Sequence, residues 1–125
     1  MTSDVRSYRD LLVWQRAMDV AVAVYDLSRT WPRDELFGMT SQSRRAAASV
    51  AANIAEGYGR ATKLSYISFL RIAQGSLKEL ETHLILATRV GIAAQQPTDD
   101  ILIQTNEIGR MLHSLMGKLR DHPGR

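Results

Sequence analysis

Gln42-Ser43-Arg44-Arg45-Ala46-Ala47-Ala48-Ser49-Val50-Ala51-Ala52-Asn53-Ile54-Ala55-Glu56-Gly57-Tyr58-Gly59-Arg60 is the stretch that decides the fold. It is rich in alanine, lacks proline and is interrupted only at Gly57-Tyr58-Gly59, which is the composition of a helix with a defined stop. Gln42, Arg45, Ser49, Asn53, Glu56 and Arg60 follow one another at steps of 3, 4, 4, 3 and 4 residues. Residues three and four apart stack on one helix face, so these six share a strip roughly 80° wide. The remaining circumference is small or apolar, including Met39, Val50, Ile54 and the alanines. A helix apolar nearly all round is buried. The stretch therefore predicts a central helix packed on several sides. It also predicts a polar seam in which Gln42, Arg45, Asn53, Glu56 and Glu79 of the next helix are partly buried and mutually hydrogen-bonded.

Working outward, three more helical patterns flank this one. Upstream, Trp14, Ala17, Ala21, Val24, Ser28 and Trp31 repeat at helical spacing, with Asp10 as a candidate N-cap and Pro32 as a stop. Val13, Val20 and Leu27 form a second apolar line that widens the buried face. Downstream, Thr62 or Ser65 can cap a helix whose core line is Tyr66, Phe69, Ala73, Leu77, Leu80, Leu84 and Ala87, with Gly91 as its stop. Pro97-Thr98 opens the last, with Thr98 as N-cap, Asp99 and Asp100 in the first turn, and a stripe through Ile101, Thr105, Ile108, Leu112, Leu115 and Leu119. The predicted helices cover about 10–31, 36–57, 63–90 and 98–120 of a single domain, 1–125, with a short disordered N-terminus and a tail that frays from Asp121. Short connections favour antiparallel neighbours, hence an all-α, up-down-up-down antiparallel four-helix bundle.

Composition narrows the function. With 125 residues, 45% hydrophobic and 23% charged, the chain is an ordinary globular domain. It has no cysteine, which removes disulfides and thiolate metal sites and suits the cytoplasm. The first ten residues have no apolar core of a secretory signal, and no apolar run is long enough to span a bilayer. Net charge is +3 with no block of like charge, although residues 61–91 carry four basic groups against two acidic.

No catalytic set emerges. His83, His113 and His122 lack the i, i+4 pairing of helical metal ligands, so neither a metal nor another cofactor is expected. Gly57-Tyr58-Gly59 follows a helix and lacks the Gly-Lys-Ser/Thr continuation of a phosphate loop. Glu56 with Glu79 or Glu81 could imitate an acid pair, but Arg45, Arg60 and Arg71 favour salt bridges instead. Trp14 and Tyr66 read as core or interface anchors before base-stacking platforms. Val13, Val20, Leu102, Met111 and Met116 exceed what one small bundle needs inside and predict self-association through them. Gly75, Gly109 and Gly117 within helices predict close backbone approach.

The runs Asp10-Leu11 through Trp14-Gln15-Arg16-Ala17, Gln42-Ser43-Arg44-Arg45-Ala46, Asn53-Ile54-Ala55-Glu56-Gly57-Tyr58-Gly59-Arg60 and Phe69 to Thr82 resemble the 23S ribosomal RNA intervening-sequence proteins. The resemblance spans residues 10 to about 91 and implies a small bacterial cytoplasmic four-helix bundle. Ala51 stands where that family often carries proline, which predicts an unkinked second helix. The family resembles the accessory variability determinant of diversity-generating retroelements, a pentameric ring with a basic surface that binds RNA and a reverse transcriptase. The resemblance thus implies a homopentamer of total charge five times +3, holding RNA or DNA non-specifically through phosphate contacts. Arg44, Arg60, Lys63, Arg71 and Lys78 are the candidate phosphate ligands. The rival expectation is a protein-interaction scaffold whose apolar faces dock a partner and whose cations keep it in solution.

Overall fold

The computed structural model describes residues 5–121. Its helices are α1 (Leu12–Ser28), α2 (Ser41–Tyr58), α3 (Lys63–Arg89) and α4 (Gln95–Asp121), with no strand among the described residues. Each helix packs on its two neighbours in a closed square, and α2 with α3 is the most extensive pair. Side-chain contacts fix the directions. Arg44 of α2 reaches Ser28 of α1, Ser49 of α2 meets Ser76 of α3, and Thr105 of α4 meets Glu81 of α3. Arg16 of α1 pairs with Glu107 of α4, so every adjacent pair runs antiparallel and the bundle is up-down-up-down. Its core is fully buried aliphatics from all four helices, Val24, Ile54, Leu70, Leu77, Leu84, Ile108 and Leu112 among them.

The helix ends show where local chemistry rules. Thr62 caps α3, its hydroxyl accepting from Ser65 N at 3.1 Å, as expected. Gly91 closes it at φ 79°, with Ile92 N bonded to Ala87 O and Gly91 N to Thr88 O, the paired bonds of a left-handed stop. Asp10 is not the cap of α1. Its carboxylate accepts from Arg6 N and Ser7 N, while Ser7 accepts from Arg9 N, so a capping box closes a separate 3-10 turn over Tyr8–Asp10. Leu11 then enters α1 without a side-chain cap. That helix ends at Ser28, ahead of Pro32, yet Trp31 still folds back into the core.

Thr98 is likewise not a cap. Proline costs little in a first turn whose N–H groups have no helical partner, so α4 begins at Gln95, ahead of Pro97. Thr98 is buried inside the helix with its hydroxyl on Ala94 O, and Asp99 and Asp100 accept from Gln95 and Gln96. Before α2 the chain makes a π-helical turn, Leu36–Thr40, hinged at Gly38 with φ −109° and ψ −110°. Continuing from it, α2 runs without a kink through Ala51.

Close backbone approach occurs at Gly57, not at the other helical glycines. A Cβ on Gly57 would sit 2.9 Å from Phe69 Cβ and 3.1 Å from Tyr66 O, so the glycine lets α2 cross tightly over α3. The stop itself is Gly59. Gly75 has open space around it, Gly109 only ordinary contact with Leu77, and Gly117 only the far end of Arg120. Val13, Val20 and Met116 are also corrected: all three are buried in the bundle's own core, with Leu102 and Met111 packed against it. The second apolar lines close the square of helices and leave other residues to form the apolar surface. Asp121, the expected start of the fraying, is still helical; residues 1–4 of the expected disordered N-terminus, the rest of the tail (122–125) and His122 lie outside the described residues.

Candidate functional site

The polar stripe of α2 divides in two. Its middle is ordered: the Asn53 amide donates to Ser49 O at 2.9 Å and to Ser49 Oγ at 3.0 Å, and Ser49 Oγ shares a proton with Ser76 Oγ of α3 at 2.8 Å. Its ends are surface. Gln42, Arg45, Glu56 and Glu79 are exposed, which contradicts a buried, mutually bonded seam. Glu56 pairs with Arg60, just past the end of its helix, at 2.6 Å, and Glu79 lies 3.6 Å from His83 on its own helix. The reason is geometric: the strip faces the seam between α2 and α3 only where serines let the helices close, and long side chains fan into water at either end. Gln42, Arg45, Ser49 and Glu79 line a shallow polar cleft there of about 490 Å³.

The five candidate phosphate ligands do not converge. Arg44 is held against α1, its Nε 2.8 Å from Ser28 Oγ and its guanidinium 4.5 Å above the Tyr25 ring. Arg60, just beyond the far end of α2, pairs with Glu56 and stacks 4.6 Å over Phe69. Lys78 pairs with Glu81 at 3.1 Å. Lys63 opens α3 and is half-buried, and Arg71 is exposed. Arg71, Lys78 and Arg89, seven and eleven residues apart, share one stripe of α3. Sequence reasoning missed their neighbours: His113 and Arg120 are exposed on α4, while Arg110, also exposed, opens on the α1/α4 side with Leu11, Leu12 and Val13. The Leu77 contact with Gly109 and the Thr105–Glu81 bond bring that part of α4 beside the α3 stripe. Antiparallel register was the signal needed to find them.

The most developed concavity is apolar. Trp14, Met18, Val22 and Tyr25 of α1 form one wall of a groove of about 600 Å³, and Ala48, Ala51, Ala52 and Ala55 of α2 form its floor. Tyr8 closes one end, its ring edge-on to Trp14 at 5.2 Å. Beyond Tyr25 the apolar surface continues onto the π-helical turn, where Leu36 is exposed and Phe37 is 92% exposed. The sequence reads Trp14 as a core or interface anchor, and the alanines as core because nothing local distinguishes an alanine facing a neighbour from one facing water. At the α2/α3 crossing, burial and the neighbouring Tyr58 raise the Tyr66 hydroxyl to a pKa of about 12. That keeps it a neutral phenol and ill suited to act as a base.

Among the described residues no group of three His, Cys, Asp or Glu comes together as a metal site, and no helix is long and apolar enough to cross a membrane. The molecule is an antiparallel helical bundle whose notable surface feature is an alanine-floored apolar groove. Its sequence matches the family described as 23S rRNA-intervening sequence protein over residues 9–114, and the chain belongs to that family. It is similar to a solved structure from Bacteroides thetaiotaomicron, a protein of unknown function from the S23 ribosomal protein family. The two are 25% identical with a TM-score of 0.76, over 84% of this chain and 98% of that one. No curated protein matches the chain.

Proposed function

We propose that the protein is a non-enzymatic scaffold that assembles into a closed homo-oligomer, with the pentamer suggested by its family resemblance as the preferred ring. The observation that carries this reading is the continuous exposed apolar surface from Trp14 through Met18, Val22 and Tyr25 to Leu36 and Phe37. Contiguous apolar surface of this kind on a monomer marks an interface. Closure follows because a head-to-tail contact that fails to close grows filaments. Neither a metal nor another cofactor enters the reading, and the cysteine-free composition suits a cytoplasmic setting. Sedimentation velocity across a wide concentration range tests it: a single species heavier than one chain supports assembly, and a persistent monomer removes it.

A second reading adds weak, sequence-independent binding of RNA or DNA. It is favoured by the exposed cations of α3 and α4, Arg71, Lys78, Arg89, Arg110 and Arg120. Arg44 and Arg60 are poor phosphate ligands because their guanidiniums are engaged within the chain. Repetition around a ring multiplies a net charge of +3 per chain. The rival use of the same ring is to dock a protein partner, and salt-dependent capture of nucleic acid separates the two.

A further inference from the structure

We propose that the groove between α1 and α2 is filled by the outward face of α3 from a second copy of the chain. The inference rests on the self-association reading above and assigns its surfaces.

The first support is shape. On the solvent side of α3, Leu64, Ile72, Leu86 and Val90 are exposed aliphatics at helical spacing, and Leu64 is 80% exposed. Gly75 lies among them, and a Cβ built there meets nothing within 4 Å. Gly75 leaves a bare patch between Ile72, Arg71, Lys78 and Glu79 that a neighbour's helix can approach closely. The α1/α2 groove is its counterpart, with Met18 and Val22 on the wall and Ala48 and Ala52 on the floor. Small residues on one helix and bulky ones on the other give ridges-into-grooves packing at short interaxial distance. The two surfaces lie on different sides of the bundle, because α3 packs on α2 and α4 through its opposite face. One molecule cannot join them to each other, whereas successive copies can, and a contact of that kind is heterologous and generates rings.

The second support is charge and level. Asp19 and Asp26, both exposed and seven residues apart, line the outer rim of α1 beyond Val22. Arg71 and Lys78, also exposed and seven apart, flank the α3 ridge. Both pairs span about 10.5 Å, two helical turns. In this topology α1 and α3 run in the same direction, and copies related by an axis along the bundle sit at one height. Carried across α2 by the Arg44–Ser28 and Ser49–Ser76 contacts, the register sets Asp19 level with Arg71 and Asp26 level with Lys78 to within a turn. Carried across α4 by Arg16–Glu107 and Thr105–Glu81, the level lies further along α3 and sets Asp26 beside Arg89. At the first level both carboxylates face a cation, and at the second Asp26 does. Lys78–Glu81 and Asp26–Arg29 are competing pairs within the chain, both weak because the Lys78, Asp26 and Arg29 side chains are about two-thirds exposed.

The test uses two full-length variants, each blocking one surface. Val22→Arg places a charge in the groove, and Gly75→Arg places one on the ridge. Both sites face solvent in the single chain, and arginine is a good helix former, so the circular dichroism of each is expected to match the parent. Each variant alone is expected to run as a 14.0 kDa monomer by light scattering behind size exclusion. Mixed in equal amounts they are expected to form a two-chain complex and stop, because one intact groove and one intact ridge remain. Variants that keep the parent's assembled mass would overturn this assignment while leaving self-association standing. Monomeric variants that do not pair on mixing would overturn the head-to-tail seating. A parent that is itself monomeric at every concentration removes the self-association reading, and this one with it.

Discussion

Gly57→Ala tests how the bundle is locked at its most extensive helix pair. Two opposed terms set the expected effect. Alanine gains up to about 1 kcal/mol over glycine inside a helix. Against that, the new methyl would lie 2.9 Å from Phe69 Cβ, 3.0 Å from Tyr66 Cδ1 and 3.1 Å from Tyr66 O. Carbon atoms prefer about 3.5–4.0 Å, so the helices must separate by several tenths of an ångström. One neighbour is a backbone carbonyl, which no rotamer change can move. Overpacking of this kind costs about 1–3 kcal/mol, which exceeds the gain and leaves a net destabilisation of up to about 2 kcal/mol once the full helix term of about 1 kcal/mol is set against it. Gly109→Ala is the internal control, because its methyl would meet only Leu77 Cδ2 at 3.6 Å and would add about 1 kcal/mol of stability. Denaturant unfolding at equal protomer concentration, followed by helical circular dichroism, should shift the two midpoints in opposite directions. A Gly57→Ala protein as stable as the parent would refute the argument that this glycine sets the α2/α3 crossing.

Other outcomes follow from the same geometry. Glu56→Ala should cost under 1 kcal/mol, because its pair with Arg60 is about half exposed on both sides; a loss of several kcal/mol in denaturant unfolding would show a buried seam after all. Tyr66 should be the last tyrosine to ionise, near pH 12, in a tyrosinate absorbance titration, and Tyr66→Phe should remove that late step. Since the folded state holds this proton more tightly than an unfolded chain with pKa 10.0, stability should be flat below that pH and fall as pH rises from 10.0 towards 12. If the assembled protein binds nucleic acid, fluorescence anisotropy should show log affinity falling linearly with log salt, and Arg120→Glu should flatten the slope while Arg44→Glu should not. No binding at about 50 mM salt would leave the protein-scaffold use alone.

The parts of this structure that were legible in sequence are those governed by periodicity. The apolar stripes of all four helices lie in the core, and Thr62 and Gly91 mark the ends of α3 as their chemistry requires. Errors arose where two local signals compete. A threonine after proline has the composition of a cap, yet a first turn accepts proline and α4 simply starts earlier. Asp10 has the position of a cap but serves the turn before α1. The α2 stripe was found correctly as a stripe, but its burial depends on how closely α3 approaches at each level, which only Ser49, Ser76 and Gly57 decide. Surface assignment was the least legible. Val22 and Val20 are both valines of α1, and only the closure of the square of helices exposes the first and buries the second.

The central claim, a closed homo-oligomer, is tested most directly by native mass spectrometry of the untagged parent chain. One dominant assembly is expected, at about five times 14.0 kDa, with neither a ladder of intermediate sizes nor open-ended growth. A single 14.0 kDa species that persists as concentration is raised would contradict it.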